Sequence, residues 1–314
     1  MTVADKPEIA VGLAALGRPA YINLGREGAL PGNRDVASMR AATWEVLDAA
    51  YAAGVRWVDV ARSYGRSEEF LSGWLAERGH TDLTVSSKWG YAYVGGWRLD
   101  AEVHEEKEHS LARFEQQWAE STALLGSRIS LYQVHSLTID SPLFTDGALL
   151  DRLAALAATG VRVGFSTSGP AQAETVRRAF ELERSGQRVF TAVQSTWNVL
   201  EPSVGEVLAE ARAEGNLVVL KETLANGRLV AESPEPVAEL AAARGVTPDA
   251  VALAAALAQP FADAVLAGPA SVAQLESNLD AARVPLEDAE LARLLALREA
   301  PADYWAHRSR LEWN

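Results

Sequence analysis

The chain has 314 residues, 48% of them hydrophobic, with a formal net charge of −13 and no cysteine. That length and apolar content support one large core or two small ones, while the missing thiols exclude disulfide staples, thiolate metal sites and a catalytic cysteine. The acidic balance disfavours nucleic acid and anionic membranes as partners, and an anionic cofactor would need a local basic patch to overcome the overall field.

Residues 1–10 include Asp5, Lys6, Pro7 and Glu8 and contain no stretch resembling a signal peptide. The first β-branched run covers 11–16, followed by a loop over 21–34 and an amphipathic helical pattern over 37–53. Strand patterns then alternate with helical ones: strand 57–61, helix 67–78, strand 83–88, helix 107–125, strand 130–135, helix 148–159 and strand 161–166. The alternation continues with helix 172–183, strand 192–195, helix 203–214 and strand 217–221, then two further helices and a strand over 264–266. Gly54, Gly79, Gly126, Gly160, Gly186 and Gly215 each sit just past a helical pattern, where a left-handed cap is wanted. The longest apolar run, 250–258, is about half a membrane span and stops at Gln259 and Pro260. Residues 301–314 read as a loop near the pocket.

About eight strands alternating with helices predict an α/β fold, a (β/α)8 TIM barrel forming one domain over 1–314. A doubly wound sheet is the competitor, but Gly12 and Gly17 do not form the glycine-rich phosphate turn it usually carries. The expected protein is soluble and cytoplasmic.

A barrel collects its chemistry at the carboxyl ends of its strands. Asp59 lies near the end of the second strand and Tyr64 in the loop after it; Lys88 ends the third strand and His135 the fourth. Singly, each has a structural use: a cap, a loop contact, a solvated ammonium, a core histidine. Together they form an acid–base set, because a lysine ammonium beside a phenol lowers the phenol pKa and a histidine can donate to a carbonyl oxygen. Asp59 would hold the lysine.

The segments Asp59-Val60-Ala61-Arg62-Ser63-Tyr64-Gly65, Ser87-Lys88 and Gln133-Val134-His135 resemble the aldo-keto reductase family, whose Asp, Tyr, Lys and His match in order and spacing. The likeness runs on through Val163-Gly164-Phe165-Ser166, Gln194 with Asn198, Asn226-Gly227-Arg228-Leu229 and residues 268–278. It implies a carbonyl/alcohol oxidoreductase with an NADP(H) or NAD(H) cofactor, direct hydride transfer, no metal and Tyr64 as proton donor. By the same resemblance Ser166 and Gln194 would hold the carboxamide, Leu224, Gly227 and Leu229 would lie along the pyrophosphate, and Gly268, Ser271, Gln274 and Asn278 would meet the adenosine end.

Departures from the family pattern are Thr167 after the carboxamide serine, Lys221 beside Glu222 where a stacking aromatic is usual, and Gln274 where an arginine often meets the ribose phosphate. Lys221 or Arg228 could pair with cofactor phosphate instead; NADP(H) follows from the family, and Gln274 keeps NAD(H) open. Trp89, Tyr93, Trp97, Trp197 and Trp305 are the aromatic candidates for a pocket rim taking a small carbonyl or alcohol, with Tyr91, Tyr304 and Trp313 nearby. Two rivals are a catalytically silent binding protein on the same fold and a Schiff-base aldolase with Lys88 as nucleophile.

Overall fold

Short β-branched segments that cannot sustain a helix pair side by side, while the alanine- and leucine-rich segments between them cover the outside. The computed structural model describes residues 7–25 and 27–314; Met1 to Lys6 and Arg26 lie outside the described residues, including part of the amino-terminal stretch and of the 21–34 loop read above. The strands are β1 (Glu8–Gly12), β2 (Trp57–Asp59), β3 (Thr84–Trp89) and β4 (Ile129–Leu137), then β5 (Arg162–Thr167), β6 (Ala192–Thr196), β7 (Leu217–Lys221) and β8 (Ala264–Ala267). They close into a barrel in the order β1-β8-β7-β6-β5-β4-β3-β2, and every neighbouring pair is parallel.

Side chains alternate across these strands. Ala10, Trp57, Leu131, Ala192, Leu217, Val219 and Ala264 fill the barrel interior. Val11, Val58, Val85, Tyr132, Phe165, Val193, Val218 and Val265 face outward into the larger core beneath the helices. The covering helices are α1 (Val36–Ala52), α2 (Ser67–Arg78), α3 (Leu111–Leu125), α4 (Gly147–Ala157), α5 (Gln172–Phe180) and α6 (Gly205–Ala213). After β7 come α7 (Arg228–Ala231), α8 (Glu235–Arg244) and α9 (Pro248–Leu257), and after β8 come α10 (Val272–Leu279), α11 (Asp288–Leu295) and α12 (Pro301–Arg308). The apolar run 250–258 is largely α9, a buried core helix. Among the described residues no single helix is long and apolar enough to cross a membrane.

Several boundaries differ from the sequence reading, each for a local reason. β1 begins upstream of 11–16, where residues 8–11 pair with 264–267 of β8, and it ends at Gly12 because Leu13 turns back to accept from the Gly17 amide. Helix α3 starts after Ser110, whose hydroxyl accepts from the Arg113 amide, and Glu105–Lys107 instead pairs antiparallel with Tyr91–Tyr93. Gly186 stops no helix: α5 ends at Phe180, and Ser185 and Gly186, both with positive φ, turn a small hairpin between Glu183–Arg184 and Gln187–Arg188. The tail is not a loop throughout, since Pro301 at the first turn starts α12.

The segment after β1 and the Tyr64 turn are interlocked by two glycines. A Cβ on Gly17 would lie 2.2 Å from the Tyr64 carbonyl oxygen, and one on Gly65 would lie 2.4 Å from the Gly17 oxygen. The Arg66 amide donates to the Gly17 carbonyl at 2.7 Å. Gly17→Ala is therefore expected to displace the Tyr64 turn and to cost at least about 2 kcal/mol, read as a lower urea midpoint; unchanged stability would show that the two segments can part without loss.

Candidate active site

At the carboxyl end of the barrel a cavity of about 350 Å³ is lined by, among others, Asp59, Tyr64 and His135 from β2, the loop after it and β4, and by Gln194, Lys221 and Leu266 opposite. Beneath it Asp59 and Lys88, both almost wholly buried, form an ion pair. The Lys88 ammonium also donates to the Val60 carbonyl at 3.2 Å. The second Asp59 oxygen accepts from Ser86 Oγ at 2.6 Å and from Gln194 Nε2 at 3.1 Å, and Ser86 in turn accepts from the Trp57 indole at 2.9 Å. A buried carboxylate is thus surrounded by donors, the condition under which such a pair is tolerated.

Lys88 Nζ lies 4.9 Å from the centre of the Tyr64 ring, and the Tyr64 and His135 rings meet edge to face with centres 5.4 Å apart. The four residues therefore converge. Their electrostatics differ from the sequence expectation in one respect: burial, reinforced by the charge of Asp59, holds the Tyr64 phenol well above the ordinary tyrosine value, with Arg18 pulling the other way. Burial also lowers the Lys88 pKa, opposed by Asp59. At neutral pH Tyr64 keeps its proton.

His135 sits at a bulge in β4, where the register with β5 shifts between Val134 and Leu137 and Ser136 takes φ 52°. The Ser136 amide donates to Ser166 Oγ at 2.8 Å, and His109 Nε2 donates to the His135 carbonyl at 2.9 Å. The His135 side chain is held neutral by burial and then by the charges of Lys88, Lys221 and Arg18. Its Nδ1 lies 3.2 Å from Ser63 Oγ.

Arg18, after β1, donates to Glu105 at 2.6 Å and to the Ser63 carbonyl at 3.0 Å. Its guanidinium lies 4.5 Å from the Tyr21 ring centre, 4.8 Å from that of Trp313 and 5.2 Å from that of Tyr64. The chain end closes this wall: Tyr21 and Asn314 exchange backbone hydrogen bonds of 3.1 and 3.2 Å, and Trp313 stacks on His104 at 4.2 Å. Across the cavity Arg308 of α12 grips both carboxylate oxygens of Glu222, at 2.6 and 2.7 Å. Lys221 donates to the same carboxylate at 3.2 Å and to Thr196 Oγ1 at 2.9 Å.

Of the residues assigned by resemblance to cofactor, Gln194, Lys221, Leu224 and Gly268 line the cavity. Ser166 instead supports the bulge at Ser136. Gly227 is buried where a Cβ would meet the Leu24 oxygen at 2.5 Å, and Leu229 packs in the apolar cluster with Val199, Leu294 and Trp305. Ser271 caps α10 by accepting from the Gln274 amide at 3.3 Å, the Gln274 side chain accepts from the Ala270 amide at 2.8 Å, and Asn278 donates to Asp249 at 2.6 Å. Arg228 is bound to Glu299 rather than turned into the cavity.

None of the five aromatic candidates lines the cavity. Trp89 follows the inward Lys88 and so points outward, its ring 5.0 Å from Phe114. Trp197 packs on Phe261 with centres 6.3 Å apart, and Trp305 lies in the core with Tyr304. Tyr93 accepts from the Trp97 amide at 3.1 Å, and Trp97 donates to the Arg34 carbonyl at 2.8 Å, so both pin loops. The cavity aromatics are Tyr21, Tyr64, Tyr91 and Trp313. Arg18, Tyr21, Glu105 and Arg308 escaped the sequence reading; the only available signal was the position of Arg18 after the first strand.

The polar environment suits a nucleotide: the cavity runs from Tyr64 to Thr223, Leu224, Asn226 and Gly268, and Asn226 Oδ1 is buried there without a partner. Among the described residues no group of three or more His, Asp or Glu is placed to hold a metal ion.

A model of the aldo/keto reductase family matches residues 28–299. The chain is 27% identical over 288 residues to aldo-keto reductase str7 of Strobilurus tenacellus, covering 82% of this chain and 81% of that protein. The holo form of aldo-keto reductase AKR11C1 from Bacillus halodurans superposes with a TM-score of 0.66 at 20% identity, over 93% of this chain and 92% of that one. PA4992 of Pseudomonas aeruginosa superposes with a TM-score of 0.62 at 22% identity, over 92% and 91%. This chain belongs to the aldo/keto reductase family, a family of oxidoreductases, and its eight-stranded barrel is the fold the two structures share with it.

Burial, aided by the charge of Lys107, lowers the pKa of His109 from 6.5 to about 4. The unfolded chain then binds a proton that the folded one refuses, so stability falls as pH drops from about 6.5 to about 4, by up to about 3 kcal/mol for this group. Denaturant midpoints across that range should fall less steeply in His109→Gln; an identical slope would mean that this ring does not carry the effect.

Proposed function

We propose that the protein is an NAD(P)H-dependent carbonyl reductase or alcohol dehydrogenase in which Tyr64 exchanges the proton. The observation that carries this reading is the convergence of Tyr64, His135 and the Asp59–Lys88 pair at one end of one cavity, from adjacent strand ends. A bound nicotinamide supplies the hydride for a carbonyl carbon. Asn226, Leu224, Gly268 and Gln194 are the cavity residues that would hold the dinucleotide.

The phenol that keeps its proton at neutral pH is an acid in waiting: as the carbonyl carbon receives hydride, the oxygen takes the proton of Tyr64 Oη and becomes an alcohol. The paired ammonium of Lys88 then stabilises the tyrosinate left behind. In the tautomer where the Ser63 hydroxyl donates to Nδ1, neutral His135 carries its proton on Nε2 and can direct the carbonyl oxygen toward Tyr64. Arg18, Tyr21, Tyr91 and Trp313 supply a wall of three aromatic rings and one guanidinium for a small carbonyl substrate. A Schiff-base role for Lys88 is disfavoured, because its ammonium is buried against Asp59 and does not line the cavity.

Oxidation of NADH and of NADPH with a panel of aldehydes, ketones and sugars tests the class and the cofactor. Tyr64→Phe should slow turnover roughly a hundredfold or more while leaving cofactor affinity within about twofold; a variant near the wild-type rate would remove Tyr64 from this role. Lys88→Met should be nearly as slow.

A further inference from the structure

The charges that meet at this cavity do not balance. Lys88 belongs to Asp59, and Arg18 to Glu105. That leaves Glu222, which faces two cations, Lys221 and Arg308. All three line the cavity. Among the described side chains of that wall, one positive charge is therefore in excess over Glu222, within a chain whose net charge is −13. Glu222 is firmly ionised: its pKa is brought down to about 2 against the effect of burial, by Arg308 and then Lys221.

The excess lies close to the reacting end. Lys221 donates to Thr196 on β6, and Gln194, two residues earlier on that strand, donates to Asp59. The charge of Lys221 acts on His135, and that of Lys88 acts on Lys221. Any nicotinamide that delivers hydride to a carbon beside Tyr64 must share this space.

We infer that Lys221, left in surplus over Glu222 and Arg308, discriminates between the two redox forms of the nicotinamide and makes the protein bind the reduced form in preference. Reduced and oxidised cofactors share the same phosphates and differ by one positive charge on the ring. Their affinity ratio therefore isolates the field at the ring from every contact to the rest of the nucleotide. An ammonium in a partly desolvated cavity repels that extra charge by an amount that water would erase. In a mixed pool the protein is then loaded for carbonyl reduction. The inference rests on the nicotinamide reading above and deepens it.

The test is equilibrium binding of the oxidised and reduced cofactors to cofactor-free protein, followed by tryptophan quenching, in wild type, Lys221→Met and Glu222→Gln. Lys221→Met makes the remaining pair neutral and should lower the ratio Kd(oxidised)/Kd(reduced) on the order of five- to tenfold. Glu222→Gln enlarges the surplus and should raise the same ratio, opposite to what loosening of the wall would do. A purely structural role for Lys221 weakens both forms alike, so a ratio unchanged in both variants overturns the inference while leaving the proposed function standing. Failure of the wild type to bind either form overturns the proposed function and this inference with it.

Discussion

The buried pair between Asp59 and Lys88 is the constraint around which the mouth of the barrel is arranged. Neither charge can stay in so dry a place alone. The carboxylate is held by Ser86 and Gln194 as well as by the ammonium, and the ammonium by Val60. Strands β2, β3 and β6 are thereby tied at one point in the barrel interior. Tyr64 lies over that point because Gly17 and Gly65 let its turn press against the segment after β1. His135 reaches it because a bulge in β4 turns the chain there, with Ser166 and His109 holding the irregular backbone.

The outer wall is assembled from parts distant in the chain. Arg18, the hairpin strand with Glu105, and the terminal Trp313 enclose one side, while Glu222 and Arg308 fasten α12 to the other. Among the described side chains, Glu222 faces both Lys221 and Arg308, and that local surplus falls beside the proposed site of hydride transfer.

Much of this was legible from residue order. Alternating strand and helix patterns predicted the barrel, and strand-end positions picked out Asp59, Lys88 and His135 with Tyr64. What failed was orientation. Trp89 is adjacent to Lys88, and the period of two that turns the lysine inward necessarily turns the tryptophan out. Tyr93, Trp97, Trp197 and Trp305 carry the same composition signal as the true cavity aromatics, but their hydrogen bonds and packing commit them to loops and core. Arg18 with Glu105, and Arg308 with Glu222, join residues 87 and 86 positions apart, a pairing no local pattern encodes. The acidity of Tyr64 also depends on three-dimensional context: proximity to lysine suggested a lowered pKa, whereas burial and the charge of Asp59 keep the phenol protonated.

The most direct measurement is a single-turnover comparison of wild type and Asp59→Asn, each preloaded with reduced nicotinamide cofactor and mixed with an aldehyde that the wild type reduces. The variant should bind cofactor normally yet consume it roughly a hundredfold more slowly or worse, because Lys88 has lost the partner that fixes it beneath the phenol. Equal rates of cofactor consumption in the two proteins would contradict the account.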